Sequence, residues 1–272
     1  MPSQTTERSL AIPLRRFESK PGSSVLALFT KDFGQIRVFS RVRGSGKKAK
    51  AGFLSPFSTY EVLFAKAKGS SGLYELREHE VRSPRPSLNE GQPLGAWAAA
   101  SLLSELVLKT TENRDPHPYL FEMLDTAYDC LAEGVSPEDL LSAFLVKYLE
   151  HMGYKPRVDL CSCGKPVEPK GDAVFEVSYG GICCESCLAE GNPAAHTSGT
   201  QTRFSVDPAM RAALERYRLA RFRSLAETPL VSAKTRRLVE LLVVYTEYHL
   251  EVHLKSLSFL KDMDLTRKEP IG

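Results

Sequence analysis

Five of the six cysteines fall inside residues 161 to 187, CSCGKPVEPKGDAVFEVSYGGICCESC. Cys184-x-x-Cys187 has the spacing that lets two thiolates of one tight turn hold a single Zn²⁺, with the other pair supplied by a second turn. Gly180-Gly181 ahead of it permits the close turn. The first half is tighter, with one residue between Cys161 and Cys163, and Cys183 is an extra thiol beside Cys184. The ligand set expected is Cys161, Cys163, Cys184 and Cys187, with Cys183 or His196 as substitutes; a group of inert buried thiols is the alternative. Four thiolates close the tetrahedron, which makes the expected Zn²⁺ structural. A nucleobase deaminase would need a His-x-Glu ahead of Pro-Cys-x-x-Cys, and the chain has no such pair. Glu176 and Glu185 are the carboxylates nearest in sequence, and both read as surface residues.

A second stretch with chemical potential is Arg41 to Lys50, RVRGSGKKAK. A phosphate-cradling P-loop needs Gly, four residues, then Gly-Lys-Ser/Thr. Arg41 stands where the first Gly belongs and Lys48 where the hydroxyl belongs, so the motif fails at both ends. The strand-like run before it says more. Period-2 alternation sets Ile36, Val38, Ser40 and Val42 on one face and Arg37, Phe39, Arg41 and Arg43 on the other. Cations interleaved with a ring are what a platform for single-stranded nucleic acid requires. Lys47, Lys48 and Lys50 extend that positive track, as do Arg15 and Arg16 from the first strand; a solvated face with Phe39 tucked under a loop is the alternative. No catalytic role is expected for His249 and His253, or for Asp125 and Asp129, which share helix faces four residues apart.

The elements that must position these groups differ along the chain. Residues 25 to 30 and 36 to 42 flank KDFGQ, and 60 to 67 and 73 to 81 flank KGSSG, so two hairpins are expected. With SLAIPLRRF ahead of them they make about five strands, the number of a small closed barrel of OB type. SPRPSLNEGQP reads as a linker. Apolar residues three and four apart then predict helices over 97 to 109, 119 to 133 and 140 to 152, and after the cysteines over 208 to 226 and 233 to 263. Ser136-Pro137-Glu138-Asp139 looks like a helix N-terminus.

Composition agrees with a globular chain of 272 residues that is 42% hydrophobic and 25% charged. The first ten residues are polar and no long apolar run follows, which predicts a cytoplasmic protein with no membrane span. The net charge is only +3 but uneven: residues 1 to 82 carry 15 basic and 7 acidic side chains, and 83 to 160 carry 6 and 12. A basic first segment ahead of an acidic one fits a nucleic-acid-binding module joined to something else.

LALFTKDFGQIRVFSRVRGSGKKAKAGFLSPFSTYEV, a helical body, GGICCESC and HLKSLSFL follow one another in an order that resembles the RecO family of bacterial recombination mediators. The chain departs from that pattern at SKPGSSV, which lacks the acids of Gly-Glu-x-Asp, and at Leu160, which stands where the family has its first Cys. The resemblance implies an α+β, multidomain fold: an OB-fold, DNA-binding barrel at 1–82, a linker at 83–93, a helical domain at 94–158 and 203–272, and a zinc-ribbon-like insertion at 159–202. It implies a non-catalytic protein of DNA repair and recombination that binds single- and double-stranded DNA and anneals complementary strands. Its implied partners are RecR, the acidic tail of the single-stranded DNA-binding protein, RecA and RecF; Arg218, Arg221 and Lys255 are cations that could rim a site for that tail. A zinc-ribbon enzyme acting on nucleic acid, and an RNA-binding translation accessory, are the competing readings.

Overall fold

A computed structural model describes residues 6–20, 23–41, 54–66, 72–90, 93–161, 163–166, 171–190, 202–227 and 233–257. Contacts divide the chain into two units, Met1–Glu133 with Lys255–Leu260, and Gly134–Leu254 with Lys261–Gly272.

The first unit begins with five strands: β1 (Thr6–Lys20), β2 (Ser23–Thr30), β3 (Gly34–Arg41), β4 (Thr59–Lys66) and β5 (Leu73–Ser83). Both expected hairpins form, β2 with β3 and β4 with β5. The order β1-β2-β3-β5-β4 closes on itself because β1 pairs with β4 through its first half and with β2 through its second. The switch between partners falls next to a register break between Pro13 and Arg15, where an extra residue bends the strand and the missing Pro N–H costs nothing. A short parallel pairing of β3 with β5 completes the ring. Leu26, Leu28, Ile36, Val38, Val62, Phe64 and Tyr74 fill its interior, as strand alternation demands.

Helices α1 (Pro86–Asn89), α2 (Leu94–Thr110) and α3 (Pro118–Ala132) follow among the described residues of this unit. Two contacts seat them on the strands. Gly34, at φ +64°, lies against the backbone of Asp115, and Gln35 donates from Nε2 to the Leu108 carbonyl at 3.1 Å and to Thr111 Oγ1 at 3.1 Å. Residues 83 to 93, expected as a linker, hold helix α1 and a buried cation. The Arg85 guanidinium is 2% exposed and donates to Asp129 (2.9 Å), Asp125 (2.7 Å), the Phe57 carbonyl (2.8 Å) and Thr59 (3.1 Å), with its face over the Tyr128 ring. The Asp125 and Asp129 pair on α3 therefore holds an arginine.

The second unit contains α4 (Pro137–His151), a three-stranded sheet of β6 (Ala173–Glu176), β7 (Gly181–Cys183) and β8 (Arg203–Val206), the short α5 (Glu185–Glu190), α6 (Pro208–Leu219) and α7 (Ala233–His249). Ser136 caps α4 by accepting from the Asp139 N–H, with Pro137 in the first turn, as its sequence predicts. The sheet runs β7-β6-β8, and Phe175, Ile182 and Phe204 form its buried face, Phe175 packing edge-on against Tyr245 of α7.

The last helix is shorter than the expected 233 to 263. It stops at His249, and Glu251 takes φ +51°. The Glu247 carboxylate then accepts from the Leu254 N–H at 2.6 Å, which turns the chain away from the helix axis. Apolar spacing persists beyond this turn, so periodicity alone overran it. His253, Lys255 and Ser256 consequently lie outside α7. Among the described residues no helix is long and apolar enough to cross a membrane.

Candidate metal centre and nucleic-acid face

Two turns bring four thiols together in the second unit. The first turn carries Cys161 and Cys163 and closes through the Gly164 N–H on the Cys161 carbonyl at 2.8 Å; the second follows β7 and opens α5. The sulfurs of Cys161, Cys163, Cys184 and Cys187 all lie within 4.8 Å of one another, and Cys163 and Cys184 are 3.7 Å apart. Zn–S bonds of about 2.3 Å in a tetrahedron place sulfurs about 3.8 Å apart, so the donors fit a metal of that size. The Cys184 N–H also donates to Cys161 Sγ at 3.2 Å. Hydrogen bonds from Ser186 and a backbone group hold the Cys184 thiol below its usual range, while the crowding of Cys161, Cys163 and Cys184 pushes Cys187 up to about 12. Four thiolates this close repel one another unless a cation lies between them.

Cys183 is not part of this set. It ends β7 with the opposite pleat from Cys184, and burial first pushes its thiol up to about 11. Together with Cys184, Val174, Leu188 and Ser205 it lines a cavity of about 660 Å³. His196 lies outside the described residues. Glu176, expected at the surface, is 2% exposed and paired with Arg203 at 2.8 Å.

The other candidate is the outer wall of the barrel. Strand register places Arg15, Ala27 and Arg37 in one row across β1, β2 and β3, and Phe17, Val25 and Phe39 in the next. Arg15 and Arg37 are exposed, Phe39 is half-buried, and Ala27 between the arginines is buried. The Arg15 guanidinium lies 5.0 Å over the Phe17 ring, which is itself 38% exposed. Phe17 was not among the expected residues, although its spacing of two from Arg15 puts it on the same face. Arg16 pairs opposite Leu26 and so points to the other side of β1. Arg41 ends β3, and its side chain is outside the described residues, as are Arg43, Lys47, Lys48 and Lys50. Arg218 is engaged by Glu215 and Glu150, and Lys255 falls in a different unit from Arg218 and Arg221.

The chain is similar to known proteins over most of its length. The chain is 28% identical over 265 residues to the DNA repair protein RecO of Bacillus pumilus, covering 96% of each chain. It is 27% identical over 259 residues to the DNA repair protein RecO of Listeria monocytogenes serotype 4b, covering 95% of each. A third such protein, from Syntrophus aciditrophicus, matches at 28% over 196 residues, which is 72% of this chain and 74% of the relative. The family model for the recombination protein O C terminal matches residues 92–258, which takes in helices α2 to α7 and all four clustered thiols. With more than half of its length inside that model, the chain belongs to the RecO family.

Proposed function

We propose that this chain is a non-catalytic, DNA-binding mediator of DNA repair and recombination, with an OB-fold at residues 1–82 as its DNA-binding domain. The observation that carries the reading is the pair of outward rows on β1, β2 and β3, Arg15 and Arg37 beside Phe17 and Phe39. Guanidinium groups there meet phosphates, and the rings offer surfaces on which bases stack, at roughly 1–3 kcal/mol per base. Neither contact depends on sequence, as a protein acting on any damaged region requires. Arg41, Arg43, Lys47, Lys48 and Lys50 continue this track in the proposal, and annealing follows if each strand is held with its base edges outward.

A Zn²⁺ held by Cys161, Cys163, Cys184 and Cys187 would supply structural cross-linking between the two turns. Four protein ligands leave no coordination position for an activated water, which favours a structural site over an enzymatic one. Membership of the family supports RecR, the tail of the single-stranded DNA-binding protein, RecA and RecF as partners in this reading.

The test is binding of single-stranded oligonucleotides by the full chain across a salt series. Arg15→Ala/Arg37→Ala should weaken binding for every sequence and reduce the steepness of the log–log salt dependence by about 1.4, two phosphate contacts' worth. An affinity and slope equal to those of the unaltered chain would remove this wall from the binding role.

A further inference from the structure

A group of rings in the second unit has no part in the site described above. His249, at the end of α7, donates from Nε2 to the Val177 carbonyl at 2.8 Å, since a carbonyl can only accept, and this fixes the imidazole. Three tyrosines surround it. Tyr245 lies below at 4.3 Å between centroids, while Tyr154 and Tyr248 each lie 5.1 Å away, at interplanar angles of 34° and 77°. Tyr245 is buried, but Tyr154 is 40% exposed and Tyr248 49% exposed. Because both outer centroids are 5.1 Å from that of His249, they are at most about 10 Å apart. Single exposed rings are ordinary on a protein surface. Two exposed rings braced against one hydrogen-bonded imidazole make a fixed feature.

Cations flank this feature. Lys155 and Arg157 are both exposed, and Arg157 is anchored by donation from Nη2 to the Tyr179 carbonyl at 3.2 Å. The nearby Glu247 is engaged by the Leu254 N–H and by His253. Rings for bases beside cations for phosphates repeat, on a different scaffold, the composition of the barrel wall.

We propose that Tyr154, Tyr248, Lys155 and Arg157 form a second platform for single-stranded DNA, distinct from the barrel. It rests on the reading of the chain as a DNA-binding protein. A chain with two such platforms can hold two strands at once, as annealing demands.

The test uses the full chain and oligonucleotides carrying iododeoxyuridine, crosslinked by light and mapped by mass spectrometry. Crosslinks are expected at Tyr154 or Tyr248 as well as on the barrel. In the Arg15→Ala/Arg37→Ala background, Tyr154→Ala/Tyr248→Ala should weaken the remaining binding by about 30-fold or more, and Tyr154→Phe/Tyr248→Phe should retain it, since stacking needs the ring and not the hydroxyl. Lys155→Ala/Arg157→Ala should reduce the salt slope by about 1.4. A wild-type chain that binds DNA with no crosslink at either tyrosine and no loss in the alanine variant overturns the second platform and leaves the barrel reading standing, the outcome expected if the rings serve a protein partner. A wild-type chain that binds no DNA overturns both.

Discussion

Glu105 on α2 shows how a single side chain can fasten a distant segment. Its carboxylate accepts from the Lys255 N–H at 3.0 Å and the Ser256 N–H at 2.7 Å, and pairs with Lys109 at 2.7 Å. Burial alone would raise its pKa, but these hydrogen bonds outweigh burial and bring it down to about 2. The folded value lies below the unfolded one, so the stabilisation is complete above about pH 4.5 and is lost as the pH falls through about 2. Glu105→Gln should lower the unfolding free energy by about 1–3 kcal/mol at neutral pH and remove this part of the acid dependence, as read by urea titrations at several pH values. A variant with unchanged acid dependence would separate Glu105 from that role. Such contacts leave no mark in sequence, because Glu105 and Ser256 are 151 residues apart. Arg85 was unreadable for the same reason: its acidic partners lie 40 and 44 residues away, and in its local setting it resembles a linker cation. The choice of Cys184 over Cys183 follows from strand alternation once β7 is known to end at Cys183, a boundary the sequence left open.

At the level of elements, alternation served well. The two hairpins and the helices α2 to α4 appear within a few residues of their expected places, because each helix carries apolar residues three and four apart and each hairpin strand-like runs either side of a turn-forming stretch. The end of α7 was missed, since the turn is made by Glu247 reaching the Leu254 amide and not by a Gly or Pro. The β2–β3 turn has a duty that its sequence did not disclose. It docks the α2–α3 connection, with the Arg114 N–H donating to the Gln35 carbonyl at 3.0 Å. Gly34 is required twice there: its φ is +64°, and an added Cβ would lie 2.1 Å from the Asp115 carbonyl oxygen. Gly34→Ala should therefore destabilise by more than about 2 kcal/mol, beyond the usual cost of a side chain at positive φ. Thermal unfolding of the variant at or near the wild-type midpoint would show that the connection can move aside.

Across the whole molecule, the four thiols lie in one unit and the single tryptophan, Trp97 on α2, in the other. Stripping metal with a chelator should thus move the denaturant transition followed by far-ultraviolet circular dichroism to lower concentration while leaving that of Trp97 fluorescence in place. Coincident shifts of both signals would mean that the units unfold together. The uneven charge could be read from sequence, whereas the division into units could not, because the first unit takes back residues 255–260 after the chain has built the second. That return has a consequence in time. A ribosome adding about 5–20 residues per second needs about 8–30 s to travel from Glu105 to Ser256. Until that segment emerges, Glu105 has Lys109 beside it but lacks the two amides that complete its site.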